Sequence, residues 1–175
     1  ARMHHLAHYD ALTDLPNRIL FDDRLAQAFA IARREGLYVA LMLVDLDNFK
    51  PVNDTFGHQV GDALLRDVAA RLRECLRDSD TAARIGGDEF VVLLPSVEHI
   101  EDATVVAEKI RRSLNLPFKL AGQQLQISAS IGVAVNSEPD CTEKRLARKA
   151  DIAMYQAKAR GRNSVVCYQN VMESA

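Results

Sequence analysis

The feature that most constrains this chain is an uninterrupted apolar run over residues 38–44, which ends in Asp45, Leu46 and Asp47. A β-prone run without polar alternation is typical of a central strand that is buried on both faces of its sheet. Such a strand requires a further layer of structure on each side. The run is about a third as long as a membrane-spanning helix, so we expect no direct membrane contact by this part of the protein.

The remaining apolar pattern predicts helices and short strands in mixed order. Helical spacing recurs in five stretches, which are residues 19–34, 50–55, 64–76, 100–114 and 144–159. Shorter β-prone runs cover residues 81–85, 90–94, 125–135 and 164–168. We expect Pro95 to end the second of these runs. Gly86, Gly87, Asp88 and Glu89 separate the first two runs, which is typical of a tight hairpin.

This order of elements predicts an α/β fold in which helices flank a central, mostly antiparallel sheet. A doubly wound nucleotide-binding fold would need strict alternation of strands and helices. It would also carry a GxGxxG or GxxxxGK[ST] loop, and the sequence contains neither motif.

Charge and cysteine content narrow the classes of function. The 175 residues carry 22 basic and 24 acidic side chains, a formal net charge of -2. Because the charges nearly balance, the protein as a whole does not present a positive surface potential. This argues against nucleic acid as the partner. Cys75, Cys141 and Cys167 are odd in number and far apart. This favours free thiols in a reducing, cytoplasmic compartment over disulfides or a thiolate metal site.

Carboxylates are expected to meet at one edge of the sheet. Asp45 terminates the buried strand, while Asp88 and Glu89 lie at the tip of the glycine hairpin. Carboxylates brought together repel one another unless a cation neutralises them, so the pattern predicts a hard divalent ion, magnesium. Gly86 and Gly87 would allow a ligand phosphate to approach closely. Taken alone, the hairpin motif favours a solvated β-turn over a metal site.

Two sequence blocks carry a resemblance to a known family. Residues 45–62 read DLDNFKPVNDTFGHQVGD, and residues 84–90 read RIGGDEF. In order and spacing both blocks resemble the GGDEF domain family of diguanylate cyclases, and residues 10–18 and 150–163 match it as well. The resemblance implies a palm-like nucleotidyl-cyclase fold with the GGDEF hairpin at its active site. It further implies that each domain binds one GTP and that two facing domains form cyclic di-GMP and release pyrophosphate.

The resemblance also implies a metal site and catalytic groups. At the family's metal positions stand Asp45, the Leu46 backbone carbonyl and Asp88, with Glu89 beside them. Such oxygen ligands suit Mg²⁺, with Mn²⁺ as the alternative ion. Asp88 has the position of the group that takes the proton from the attacking ribose hydroxyl, and Lys50 that of the cation that steadies transition-state charge. The candidate catalytic residues are therefore Asp88, Glu89 and Lys50, although a turn lysine ordinarily faces solvent.

The family's GTP-binding positions are filled by six residues, which are Phe49, Asn53, His58, Asp62, Lys158 and Arg162. Asp62 can accept hydrogen bonds from N1–H and N2–H of guanine, whereas adenine presents an acceptor at N1. The alternative explanation for Asp62 is a structural one, since a helix N-terminus favours a carboxylate. For His58 the alternative is a hydrogen bond to a neighbouring backbone group within a turn. Lys158 and Arg162 lie four residues apart, a spacing that places both on one helical face to grip the terminal phosphates.

A regulatory site is implied by Arg77 and Asp80, which form an RxxD motif ahead of the hairpin. The family binds its product, cyclic di-GMP, at this motif, and a guanidinium beside a carboxylate suits guanine and phosphate. The alternative is an ion pair at a helix end.

The expected organisation has three parts. Residues 1–8 are the end of an N-terminal signalling or linker helix, residues 9–168 are the GGDEF domain, and residues 169–175 are an exit segment. The chain starts without an initiator Met or a signal-like segment, so we interpret it as a piece of a longer polypeptide. The expected partners are GTP, cyclic di-GMP, a second copy in a homodimer, a sensory domain and, as a hypothesis, a phosphodiesterase domain. The parent protein could still be membrane-anchored through another segment.

Three rival functions stay open at this point. The first is a catalytically weak GTP-binding module that controls an attached cyclic di-GMP phosphodiesterase, which intact Asp88 and Glu89 disfavour. The second is a receptor that binds cyclic di-GMP through Arg77 and Asp80 without turnover. The third is a polymerase-like palm, disfavoured by the neutral charge and by Asn53 and Asp62.

Overall fold

A computed structural model describes residues 2–138, 140–169 and 172. The helices in this part of the chain are α1 (Arg2–His8), α2 (Arg18–Glu35), α3 (Phe49–Phe56), α4 (His58–Cys75), α5 (Ile100–Leu114) and α6 (Glu143–Ala159). The strands are β1 (Tyr38–Asp47), β2 (Thr81–Gly86), β3 (Glu89–Val97), β4 (Phe118–Leu120), β5 (Gln123–Leu125), β6 (Ser128–Val135) and β7 (Ser164–Cys167). The exit segment predicted over residues 169–175 falls largely outside the described residues.

Five strands form one sheet in the order β2-β3-β1-β6-β7. Strand β1 is central and pairs antiparallel with β3 and β6, while β7 lies parallel to β6 at the edge. This confirms the predicted α/β fold with a mostly antiparallel sheet. Strands β4 and β5 form a separate two-stranded hairpin.

The alternation of side chains along β1 explains its continuous apolar sequence. Ala40, Met42 and Val44 pack with residues of α4 and α5 on one face of the sheet. Val39, Leu41 and Leu43 pack with residues of α2 and α6 on the other face. Because both faces are covered by helices, neither needs polar residues until the strand reaches Asp45.

Helix α6 lies very close to β6 at Gly132. A Cβ atom at this position would collide with the backbone of Ala150 and Met154 and would lie 2.7 Å from the Met154 Cα. Only glycine allows this approach. The contact sets the height of α6 above the sheet and therefore the position of Lys158 at its far end.

Three sequence expectations about strands were wrong. Strand β3 continues through Pro95 to Val97 because Pro95 lies in the bulge between the Tyr38–Val97 and Ala40–Leu94 pairs, where its missing N–H is not needed. Strand β1 extends through Asp47, three residues beyond the apolar run. The single strand expected over residues 125–135 is divided between β5 and β6.

The expectation of free cysteines is confirmed. Cys75, Cys141 and Cys167 are all free thiols. None of the helices in the described ranges combines the length and the apolar character that crossing a membrane requires.

Candidate active site

The predicted carboxylates meet at one edge of the central sheet. Asp45 of β1 lies directly opposite Glu89 of β3 in the antiparallel register. The Leu46 N–H donates a hydrogen bond of 3.3 Å to the Asp88 carbonyl, which fixes the hairpin tip against β1. The convergence predicted from a strand end and a neighbouring hairpin is therefore confirmed.

Two carboxyl groups at this edge, those of Asp88 and Glu89, have a raised pKa. Burial raises the pKa of the Asp88 carboxyl above its usual range, and the charge of Asp45 raises it further. Burial likewise raises the pKa of Glu89, followed by the charges of Asp45 and Asp151. A bound cation would relieve this repulsion.

Lys158 supplies one positive charge to this cluster. It forms an ion pair with Asp45 from the last turn of α6, and both side chains are largely shielded from solvent. Its charge opposes the upward pKa shifts of Asp88 and Glu89, and Arg18 at the start of α2 acts in the same sense on Glu89. Sequence reasoning had not singled out Arg18 or Asp151, because nothing in their local pattern places them near the hairpin.

The other basic residue, Arg162, does not share a helical face with Lys158. Helix α6 ends at Ala159, and Gly161 adopts φ 102°, which turns the chain out of the helix. The prediction from the four-residue spacing was wrong in this respect, because it assumed that the helix continued. Arg162 is exposed in the following turn, where its N–H donates to the Ala157 carbonyl at 3.1 Å.

The hairpin tip is held by Arg84, a residue that sequence reasoning did not assign. Its guanidinium donates to the Gly87 carbonyl at 2.8 and 3.0 Å and to the Asp10 carboxylate at 3.0 and 3.2 Å. Asp10 also accepts from the Thr13 N–H and hydroxyl at 2.9 and 2.7 Å. Burial alone would raise the pKa of Asp10, but Thr13 and Arg84 together hold it below its ordinary value. The segment before α2 is thus tied to the hairpin.

The proposed guanine side is formed by α3 and α4. Asn53 of α3 packs against Gly61 of α4, where a Cβ atom would collide with the Asn53 Oδ1 atom and would lie 3.4 Å from Phe49. The Asn53 Oδ1 atom is buried and accepts no hydrogen bond from the residues that the structure describes. A buried acceptor in this state is suited to a donor from a ligand.

The remaining residues of this side are open to solvent. His58 and Asp62 are exposed on α4, and Lys50 is exposed on α3. Because α4 begins at His58, Asp62 lies beyond its first turn, which weakens the alternative explanation from the helix dipole. Helix α3 begins without a side-chain cap, since Asn48 adopts a left-handed φ of 64° and makes no cap hydrogen bond. The first amides of α3 are therefore available to an anion.

The side chain of Asp47 is buried and does not line the open site. Its side chain is 3% exposed and accepts hydrogen bonds from the hydroxyls of Ser128 and Ser130 and from the Asn163 N–H. The sequence gives one indication that Asp47 lies near Asp45. The two residues are two positions apart and therefore share one face of β1.

A divalent cation fits the donor set at the edge of the sheet. The Asp45 and Asp88 carboxylates and the Leu46 carbonyl are hard oxygen donors of the kind that Mg²⁺ prefers. In the described part of the chain, no group of three or more His, Cys, Asp or Glu side chains is arranged as a metal cage. Mg²⁺ is commonly held by one or two carboxylates together with phosphate oxygens, and the two carboxylates at this edge suit that mode of binding.

Arg77 and Asp80 lie at the opposite end of β2 from the hairpin. The Arg77 Nε and an Asp80 carboxylate oxygen are 3.5 Å apart, and the Arg77 N–H donates to the same oxygen at 3.0 Å. The Arg77 side chain is 67% exposed, whereas that of Asp80 is 3% exposed with a buried Oδ1 atom that accepts no hydrogen bond. The ion pair given above as the alternative explanation exists, and the exposed guanidinium also donates to the Ser96 carbonyl at 3.5 Å.

Comparison with known proteins identifies close relatives over nearly the whole chain. Residues 7–164 match the model of the family described as diguanylate cyclase, GGDEF domain. The bifunctional diguanylate cyclase/cyclic di-GMP phosphodiesterase MucR of Pseudomonas aeruginosa is 45% identical over 97% of this chain and 24% of its own length. Diguanylate cyclase TpbB of the same organism is 42% identical over 94% of this chain and 38% of its own length. The chain therefore spans less than two fifths of either relative.

Solved structures agree with these sequence relationships. The isolated GGDEF domain of TpbB superposes with a TM-score of 0.92 at 39% identity, covering 95% of this chain and 98% of that one. The coiled coil and GGDEF domain of DgcB from Caulobacter crescentus, solved in complex with c-di-GMP, gives a TM-score of 0.86 at 34% identity. It covers 95% of this chain and 88% of that one.

Proposed function

Because the chain belongs to the GGDEF domain family of diguanylate cyclases, we propose that it condenses two GTP molecules into cyclic di-GMP and two pyrophosphates in the presence of Mg²⁺. The observation that carries the proposal is the position of Asp45. It lies opposite Glu89 in the strand register and forms an ion pair with Lys158. Acidic groups for a metal and a basic group for phosphate thus occupy one edge of the sheet.

The reaction is a phosphoryl transfer in which the 3′-hydroxyl of one GTP attacks the α-phosphate of the other in line. The oxygen–phosphorus bond to pyrophosphate breaks as the new phosphodiester bond forms. Asp45, Asp88 and the Leu46 carbonyl would hold Mg²⁺, which offsets charge on the phosphate oxygens when it is bound. Asp88, beside Glu89, accepts the proton of the attacking hydroxyl.

Basic groups bind and orient the triphosphate. Lys158 approaches the carboxylates from α6 and Arg162 follows in the exposed turn after this helix. The open amides at the start of α3 and the neighbouring Lys50 add donors for phosphate oxygens. These contacts would bring the α-phosphate to the edge of the sheet, where the second nucleotide can reach it.

The base is selected between α3 and α4. Asp62 is an exposed acceptor, and the buried Asn53 Oδ1 atom lacks a donor. Guanine offers the N1–H and N2–H donors that such acceptors require, and adenine does not offer both. Phe49 and His58 flank this region from the same two helices.

A two-fold homodimer follows from the stoichiometry, since each copy supplies one GTP and the ring closes through two equivalent attacks. Product inhibition is assigned to Arg77 and Asp80, and the exposure of the Arg77 guanidinium supports this assignment. The DgcB structure with c-di-GMP supports product binding by a GGDEF domain. A sensory domain, and a phosphodiesterase domain as in the name of MucR, are proposed for the parent protein.

One experiment tests the cyclase proposal against its main rival. The purified chain is incubated with GTP and Mg²⁺, cyclic di-GMP is quantified, and Asp88→Ala serves as the inactive control. Product from the wild type but not from the variant is the expected result. No product at high protein concentration, with GTP still bound, would instead identify a GTP-binding regulatory module.

The regulatory site is tested separately with Arg77→Ala. Added cyclic di-GMP should slow the wild type more than this variant. If it slows both equally, the assignment of Arg77 and Asp80 is wrong.

A further inference from the structure

The side chain of Asp47 connects three separate parts of the chain. Its Oδ1 atom accepts from the Ser130 hydroxyl at 2.7 Å, and its Oδ2 atom accepts from the Ser128 hydroxyl at 2.6 Å and from the Asn163 N–H at 3.0 Å. None of these three donors is a cation. The bonds to the serines fasten Asp47 to β6, and the bond to Asn163 reaches the turn after α6.

That turn, residues 161–163, has an unfavourable backbone conformation and is called the phosphate turn below. Its φ angles are 102°, 65° and 44° for Gly161, Arg162 and Asn163. A left-handed conformation is unfavourable for a residue with a side chain, although asparagine tolerates it better than most. Two such residues in succession persist only where surrounding contacts hold them.

The N–H groups of Gly161 and Arg162 donate to the Lys158 and Ala157 carbonyls of α6 at 3.3 and 3.1 Å. Two further contacts hold the phosphate turn from other elements. From α5, Arg111 donates to the Asn163 side-chain oxygen at 2.8 Å, and Arg111 is itself fixed by Glu108 at 2.5 Å. From β1, Asp47 accepts the Asn163 N–H. Of these two contacts, only the one from Asp47 connects the turn to the strand that carries Asp45.

Asp45 and Asp47 therefore make a two-point attachment to the end of α6. They lie on the same face of β1, two residues apart. Asp45 pairs with Lys158 in the last turn of α6, and Asp47 holds the backbone immediately after Arg162. The spacing of the two acids along β1 thus sets where the two basic side chains stand relative to the hairpin.

We propose that Asp47 is a positioning residue for GTP, which acts through the phosphate turn to place Arg162 beside the triphosphate. The proposal rests on the proposed function, because it takes Lys158 and Arg162 as phosphate-binding residues. A positioning role and a purely structural role of Asp47 predict different results. If Asp47 positions Arg162, replacing Asp47 should lower GTP affinity only when Arg162 is present.

The test is a double-mutant cycle of Asp47→Ala and Arg162→Ala. Binding of 3′-deoxy-GTP, which lacks the attacking hydroxyl, is measured by calorimetry with Mg²⁺. We expect Asp47→Ala to weaken binding roughly 10- to 100-fold, the scale of loss for a misplaced binding group. In the Arg162→Ala background the same change should weaken binding less than about threefold. In turnover assays, KM for GTP should rise more than kcat falls.

The control is Arg71→Met, which removes a comparable structural network from the opposite layer of helices. Arg71 donates to the carbonyls of Ser113, Leu116 and Pro117 at 2.6–2.7 Å and lies over the Phe118 ring. This variant should lose stability in thermal unfolding without losing affinity for 3′-deoxy-GTP. A matched loss of affinity in Arg71→Met would overturn the proposal, since general loosening would then explain both variants.

Two other outcomes would also overturn it: a folded Asp47→Ala variant that binds like the wild type, or equal losses in both backgrounds of the cycle. If Asp47→Ala does not fold, Asp47→Asn replaces it, since the amide keeps one acceptor. Asp47→Asn should then weaken binding less than Asp47→Ala would, but the loss should still depend on Arg162. Additive losses of affinity for Asp47→Asn and Arg162→Ala would contradict the proposal. The binding measurement also separates the positioning role of Asp47 from the proposed cyclase activity. If the wild type binds 3′-deoxy-GTP but forms no cyclic di-GMP from GTP, only the cyclase proposal is refuted.

Discussion

Lys158 and Asp45 form an ion pair at the point where β1 meets the GGDEF hairpin, although they lie on different layers of the fold. The pair links the carboxylates at the edge of the sheet to the basic end of α6, which are the two sides of the proposed GTP site. In the proposed reaction, a magnesium nucleotide would replace this contact with new ones, from phosphate to Lys158 and from the metal to Asp45.

Replacing Lys158 should weaken substrate binding strongly. Truncating one partner of a partly buried charge pair costs about 2 kcal/mol or more, so Lys158→Met should raise KM for GTP roughly 30-fold or more. Steady-state kinetics with purified protein measure the change. Arg160→Met is the matched control, because Arg160 is exposed at the end of the same helix and should leave KM unchanged. Equal KM values for Lys158→Met and the wild type would contradict the assignment.

The contact between Asp10 and Arg84 should contribute to stability in a pH-dependent way. Asp10→Ala removes the acceptor for Arg84 and Thr13 and should lower the free energy of unfolding by about 1–3 kcal/mol at pH 7. The folded pKa of Asp10 lies below its ordinary value of 3.8. Its contribution is therefore complete at neutral pH and is lost as the pH falls through that folded pKa.

Denaturant unfolding at several pH values measures this effect. The gap in unfolding free energy between wild type and Asp10→Ala should be constant from pH 7 to about pH 5 and should narrow below about pH 4. A gap that stays constant in acid would show that the ionised Asp10 carboxylate is not its source.

Gly132 should be the most sensitive glycine of the fold. Gly132→Ala forces a methyl group into the backbone of α6 and should destabilise the protein by about 3 kcal/mol or more, at the upper end of overpacking effects. Gly36→Ala is the control, since Gly36 has φ 68° with open space around its Cα. It should cost only about 1–2 kcal/mol. Similar losses in thermal unfolding for both variants would refute the close approach of α6.

Gly61 should affect the substrate more than the fold. An added methyl group at Gly61 meets the flexible end of the Asn53 side chain rather than backbone, so the protein can adjust by moving Asn53. Gly61→Ala should raise KM for GTP roughly 10-fold and change the free energy of unfolding by less than about 1 kcal/mol. In an Asn53→Ala background the same change should leave KM nearly constant. A persistent rise in that background would mean that Gly61 acts independently of Asn53.

The sequence predicted those parts of the site that depend on the ends of neighbouring strands. Asp45 follows an apolar run and Asp88 and Glu89 occupy a hairpin tip, so their meeting at one edge required only that β1 and β3 pair. The resemblance to the GGDEF family added the residues on α3, α4 and α6.

Contacts that span long sequence distances could not be predicted in this way. Arg84 and Asp10 are 74 residues apart, and Asn163 and Asp47 are 116 residues apart. No local periodicity links the members of either pair. The position of Arg162 was mispredicted for a local reason, because the left-handed Gly161 ends the helical register that the spacing argument assumed.

The central position of β1 has a consequence for how the site responds to thermal fluctuation. Strand β1 is hydrogen-bonded on both sides and covered on both faces, so its amide protons should be among the last to exchange with deuterium. The turn at residues 161–163 lies at the surface and, among the described residues, bonds to β1 through the Asn163 N–H alone, so its amides should exchange before those of β1. The acidic half of the proposed site is thus built on the most persistent element of the domain, whereas Arg162 is carried by a less protected surface turn.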